Sequence, residues 1–174
     1  KNTFRAAVLV DTNKPLEILE LEFPKLEEGQ ILVQNRYSGI CRSQLMEVSG
    51  QRGRDSWLPH LLGHEGYGLV KEVGPSVTKV VPGDKVIISW IDGIGIKSKN
   101  PIFKAVNGSE INSGPATTFS EFSVVSENKV LSFPTSFATS CTDSNSSPSA
   151  TFSLLVSTTK SFKSSFAMPI APPA

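Results

Sequence analysis

Strong metal-binding side chains are few in this 174-residue sequence: two cysteines, Cys41 and Cys141, and two histidines, His60 and His64. Cysteine thiolate and neutral imidazole are both good ligands for Zn²⁺, and a catalytic zinc site combines three protein ligands with one open position. Cys41 and His64 are 23 residues apart. That exceeds the compact spacing of a zinc finger, so only a fold could join them. Glycines crowd around His64, at Gly63, Gly66, Gly68 and Gly74. Gly63 can take backbone angles closed to other residues, and the others permit turns, bulges or close approach. They bracket His64-Glu65, which could supply a ligand and an acidic group supporting it. Alternatively the glycines only shape a β-barrel, and Cys41 is an inert buried thiol. Residue chemistry alone leaves both readings open.

Positioning such residues would fall to short strands, which dominate the first 90 residues. Phe4 to Val10 and Leu16 to Leu21 read as a hairpin around the turn residues Asn13-Lys14-Pro15. From Gln30 to Tyr37, Ile31 and Val33 alternate with polar neighbours, the pattern of a half-buried strand. Gly39 to Met46 changes character and could start a short helix. Gly66 to Val73 is a strong strand candidate ending at the turn Gly74-Pro75-Ser76, and Pro82-Gly83-Asp84 leads into another at Lys85 to Trp90. Residues 91–117 read as a connection without strong periodicity. Thr118 to Val125 and Lys129 to Phe133 look like strands again. Many short strands at this spacing predict a mainly β fold, a partly closed barrel with short helical elements. A β-sandwich fits the same periodicity.

Composition narrows the function classes. With 17 basic and 16 acidic residues the formal charge is +1, so nothing electrostatic argues for nucleic acid or an anionic membrane. No apolar run approaches the roughly 20 residues of a membrane span. Two cysteines do not make a disulfide scaffold and fit a reducing, cytoplasmic setting. Residues 135–174 hold 17 Ser/Thr and three charged residues, a composition poorly suited to a second packed domain. The expected organisation is therefore a domain over 1–134 followed by a weakly ordered tail over 135–174. Phe152, Leu154, Leu155 and Val156 leave room for one short packed strand there. The absent initiator Met and the abrupt change in composition suggest a fragment, a divergent splice product or a frameshifted end.

Three clusters taken together carry a resemblance. Gly39-Ile40-Cys41-Arg42-Ser43-Gln44 is followed by Gly63-His64-Glu65-Gly66-Tyr67-Gly68, and then by Val73-Gly74-Pro75-Ser76-Val77-Thr78 and Pro82-Gly83-Asp84-Lys85-Val86. In these, and in the later Thr117 to Phe122 and Val124 to Asn128 segments, the chain resembles the zinc-dependent medium-chain alcohol dehydrogenase/reductase family. The likeness covers about residues 4–134 and implies that family's N-terminal GroES-like catalytic domain. It makes Cys41 and His64 ligands of a catalytic Zn and Glu65 a conditional ligand or supporting acid. Ser43 becomes the hydroxyl that passes a proton from the substrate, unless it caps a helix. Arg42 becomes a contact for the pyrophosphate of NAD or NADP, unless it is a solvated surface cation. Gln44 departs from the family's more usual Asp, which would carry a charge toward the histidine.

Other positions stay ambiguous. His60 could line a substrate pocket beside Trp57, although an ordinary loop histidine is the commoner reading. Trp57 and Trp90 could be pocket walls or core. Between Trp90 and Ala116 no cysteine occurs, so the structural zinc of many relatives cannot form there. Cys141 is a chemically reasonable third ligand that arrives too early for the family pattern. A Gly-x-Gly-x-x-Gly dinucleotide fingerprint is missing, Gly93-Ile94-Gly95 lacking its third glycine. The resemblance thus implies oxidoreductase chemistry on an alcohol, polyol or carbonyl small molecule. It leaves open independent activity of this chain, homo-oligomer formation by a full-length form, and a noncatalytic metal-binding or interaction module as the alternative.

Overall fold

The structure is a computed structural model that describes residues 2–132 and, as backbone, the short strand Ala167–Pro169. Cys141 and the remainder of the 135–174 segment lie outside the described residues. Alternating burial builds the first hairpin: β1 (Thr3–Leu9) buries Phe4, Ala6 and Val8 and pairs antiparallel with β2 (Glu17–Glu22). Next come β3 (Gln30–Gly39), the helix α1 (Arg42–Val48) and the two-residue β4 (His60–Leu61). Then follow β5 (Glu65–Val73) and β6 (Lys85–Ser89). The chain continues through β7 (Ile102–Lys104), β8 (Glu110–Asn112), β9 (Phe122–Ser126) and β10 (Val130–Ser132), with Ala167–Pro169 as β11.

These strands form two sheets. One runs β2-β1-β4-β8-β7, and the other runs β10-β6-β5-β3-β11, with β9 also paired to β3. A bridge from Ala6 to Ser120 ties the first sheet to the segment entering β9, so the fold is a partly closed, mainly β assembly. Register shifts between Leu32 and Val33 and between Asn35 and Tyr37 bend β3 against β5. The expected strands and the helix after Gly39 are present. Residues 91–117 differ from expectation. They contain β7 and β8, each three residues long, too short to leave a periodic signal. They persist because Phe103 and Ile111 are fully buried against Phe4 and Leu61.

Each sheet has its own apolar layer. Phe4 sits at the centre of an aromatic group, with ring centroids 4.9 Å from Phe23, 5.8 Å from Phe103 and 5.8 Å from Phe122. The second layer packs Ile31, Val33, Val70, Val86, Ile88 and Val130. One buried anion stitches the far end together. Glu127, 2% exposed, accepts the backbone N–H groups of Thr78 and Lys79 at 2.7 Å and of Ile96 at 2.8 Å. It thereby ties the loop at Thr78-Lys79 to the loop at Ile96. None of the described helices is long and apolar enough to cross a membrane.

Candidate metal and substrate site

The site begins where β3 ends. Gly39 has no side chain because Glu65 lies over it: a β-carbon there would stand 2.4 Å from Glu65 Oε1. Two residues on, Cys41 takes the N-cap of α1 with an extended backbone, so Ser43, the second helical residue, is not the cap that the alternative reading made it. Gln44 reaches back from the first turn, and its Oε1 accepts the Cys41 N–H at 2.9 Å. On the opposite side Gly63 holds φ +94°, and a β-carbon there would meet the Thr118 backbone nitrogen at 2.7 Å. Thr118 in turn donates its hydroxyl to the Glu65 carbonyl at 3.0 Å and its N–H to Leu62 at 3.0 Å. The His64-Glu65 corner is therefore clamped from both flanks. Gly63→Ala combines positive-φ strain with a backbone clash and should cost about 2–4 kcal/mol. A lower urea midpoint at unchanged m-value would report it.

Gln44, 5% exposed, joins the two halves of the site. Besides accepting from Cys41, its Nε2 stands 2.5 Å from His64 Nδ1. The Cys41 N–H can be met only by an acceptor, which holds the amide oxygen in place and turns the NH₂ toward the ring. Nδ1 then accepts, and a neutral His64 carries its proton on Nε2. The Cys41 thiol is held below its ordinary pKa of 9.0 by the Ser43 N–H, then by the Ser43 hydroxyl and the Arg42 N–H, against burial and the nearby Glu65 charge. Ser43 Oγ itself is buried and makes no hydrogen bond of good geometry. Arg42 is exposed at the start of the helix.

A cleft of about 390 Å³ opens beside these residues, lined among others by Ser43, Gln44, His64, Trp57, His60 and Trp90. Cys41 and Glu65 do not line it. Trp57 and Trp90 are 52% and 60% exposed, so they wall the cleft and are not core. His60 departs from the loop reading: it lies in β4 and is 5% exposed. Among the described residues, one group of three ligand-type side chains has donor atoms all within 4.8 Å of one another: Glu47, Asp55 and His60. Cys41, His64 and Glu65 do not meet that spacing. Sequence reasoning passed over Glu47 and Asp55, which fall on a helix and in a loop where acidic residues are usually just solvated.

Comparison with known proteins places the chain in context. The family model described as the alcohol dehydrogenase GroES-like domain matches residues 27–135. A class-3 alcohol dehydrogenase of Cereibacter sphaeroides is 46% identical over 83 residues, 48% of this chain and 22% of that protein. An alcohol dehydrogenase of Geobacillus stearothermophilus is 40% identical over 87 residues, 50% of this chain and 26% of that protein. The matched stretch thus spans about a quarter of the length of these curated relatives. Among solved structures, an alcohol dehydrogenase zinc-binding domain protein from Burkholderia ambifaria superposes with a TM-score of 0.65 at 19% identity, over 76% of this chain and 42% of that one. At that identity the likeness speaks for the fold alone.

Proposed function

The chain belongs to the alcohol dehydrogenase GroES-like domain family, and from that premise we propose that residues 1–134 are the zinc-binding, substrate-side domain of an NAD(P)-dependent oxidoreductase. Its substrates would be small alcohols or polyols and the matching aldehydes or ketones, handled in the cytoplasm. The observation that carries this reading is the cleft wall: Ser43 and His64 line it together, and Ser43 sits against the Cys41 thiol, whose pKa its N–H and hydroxyl lower.

The donor chemistry suits zinc. Cys41 offers a sulfur whose anionic form is favoured, which is the form that binds metal. His64 Nε2 stands clear of Gln44 and becomes a donor once its proton leaves, and Glu65 stands over Gly39 as a conditional third donor or charge. When bound, zinc would supply a Lewis acid that polarises an alcohol or carbonyl oxygen. The remaining work falls to the chain itself. Ser43 would relay the proton at the cleft wall, its Oγ accepting from a substrate hydroxyl as its own O–H proton passes to water in the cleft, with the reverse transfer toward a carbonyl oxygen. Trp57 and Trp90 would cover the apolar part of the substrate and limit water. Arg42, exposed at the helix start, would face the cofactor pyrophosphate once a nucleotide-binding domain is docked.

Zinc content tests the assignment without relying on turnover. Protein purified without added metal and dialysed should retain about one zinc per chain, as a site with thiolate and imidazole ligands does. Cys41→Ala and His64→Ala should each lose it. A parent protein that holds no zinc under adequate supply would overturn the metal assignment and leave the noncatalytic module.

A further inference from the structure

The second ligand-type cluster faces the same cleft from the other side and shares no residue with the proposed zinc site. Its three members come from different elements. Glu47 lies in the last turn of α1, Asp55 in the loop that follows, and His60 in β4. His60 is the informative one. Its Nδ1 lies 3.0 Å from the Leu61 carbonyl oxygen, which can only accept, so Nδ1 carries a proton. In a neutral ring the lone pair is then on Nε2, and Nε2 points at Asp55 Oδ2 at 2.8 Å and Glu47 Oε1 at 3.8 Å. A proton on Nε2 makes the 2.8 Å contact a hydrogen bond to Asp55; with the ring neutral, the three atoms are all acceptors and a divalent cation can bridge them in place of that proton.

A backbone carbonyl that fixes the tautomer from behind is the usual support for a metal-binding histidine. Spacing agrees as well. A tetrahedral ion with bonds of about 2.1 Å holds its ligand atoms about 3.4 Å apart, between the two distances seen here. Charge agrees too. Besides His60, Glu47 pairs with Arg52, which is 57% exposed and stands 3.6 Å from Glu47 Oε2. A neutral imidazole with two carboxylates suits a divalent first-row ion such as Zn²⁺, Co²⁺ or Mn²⁺.

We propose that Glu47, Asp55 and His60 form a divalent-cation site on the cleft wall, separate from Cys41 and His64, with its open side toward the cleft. It is a weaker site than one built on thiolate, so it fills on titration and not during purification. The proposal does not depend on the zinc role of Cys41.

Co²⁺ titration of the full chain distinguishes the two sites, because Glu47, Asp55 and His60 include no thiolate, whereas binding through Cys41 or Cys141 gives a thiolate charge-transfer band. In a Cys41→Ala background one equivalent of Co²⁺ should still bind, with weak visible absorption and no such band. Asp55→Asn and Glu47→Gln, each added to that background, should weaken it at least about tenfold, the loss typical of disturbing a metal site. Both substitutions keep side-chain volume, and circular dichroism checks that they fold. His60→Gln should abolish binding. The competing occupant is a proton, with His60 as an imidazolium clamped between Leu61 and Asp55. Nitrogen NMR showing both His60 ring nitrogens protonated at saturating Zn²⁺ would overturn the proposal. So would Co²⁺ binding in the Cys41→Ala protein that is indifferent to Asp55→Asn and Glu47→Gln.

Discussion

Gln44→Glu should tighten zinc binding at Cys41 and His64 by roughly 10–100-fold, the range found when a residue that orients a metal ligand is changed. The expectation follows from counting acceptors. The native amide has one oxygen, and the Cys41 N–H holds it at 2.9 Å. What remains for His64 Nδ1 is a donor at 2.5 Å, which keeps the ring proton on Nε2, where a metal would have to bind. For His64 to ligate through Nε2, the proton must move to Nδ1 and face the amide NH₂. Otherwise the amide must flip and abandon Cys41. Either way a buried hydrogen bond is lost, at about 1–3 kcal/mol.

Glutamate has the same length and two acceptor oxygens, one for the Cys41 N–H and one for Nδ1–H. Its charge also favours a cation nearby. Competition with a chromophoric chelator measures the affinity, and nitrogen NMR of the metal-free protein separates the two contributions. A tighter site with the His64 proton still on Nε2 would mean that charge alone is responsible. Unchanged affinity would remove Gln44 from the account of the metal site.

The second large effect concerns stability. Glu127→Ala should destabilise the domain by about 3–5 kcal/mol, since it strands three buried N–H donors in one step. For a domain of this size that is a fall of roughly 10–20 °C in melting temperature. The pH dependence has a definite sign. Burial pushes the Glu127 carboxyl up, but the N–H groups of Ile96, Thr78 and Lys79 and the Lys79 charge outweigh it and bring it below its ordinary 4.5. A carboxylate depressed in the folded state adds stability that is present above the unfolded value and lost as pH falls through the folded one. Native protein should therefore weaken as pH drops below about 4.5. Glu127→Gln should be less stable at neutral pH and show a flatter decline over that window. Asp92 keeps its own contribution to lower pH, because Lys129 and then Lys97 hold its carboxyl down to about 2. Parallel acid-unfolding curves for parent and Glu127→Gln would refute the role given to Glu127.

Much of the architecture was legible before any coordinates. Alternation in Phe4 to Val8 and in Ile31 to Val33 marks strands, because a two-residue period puts like side chains on one face. Turn chemistry at Pro82-Gly83-Asp84 marks a reversal, and Gly83 holds φ +100° there. The glycine-bracketed His64-Glu65 and the Gly39-to-Gln44 cluster stood out in the sequence for a comparable reason: local backbone demands are written in local residue choice. Gly63 at φ +94° is such a demand.

Tertiary structure decided the rest. Glu127 reads as one more surface acid until two loops converge on it with three N–H groups. β7 and β8 are too short for any period and exist because Phe103 and Ile111 find the Phe4 layer. Glu47, Asp55 and His60 sit on a helix, a loop and a strand, and only the return of β4 alongside β1 turns them toward one another. The departure at Gln44 was visible as a missing charge. Its consequence was not, because that depends on which two atoms the amide spans. Cys41, His64 and Glu65 came forward as proposed zinc ligands through the family resemblance, because residue type and spacing alone left their role open. Which proton each carries, and which neighbours share the cleft, are properties of distances that no linear pattern encodes.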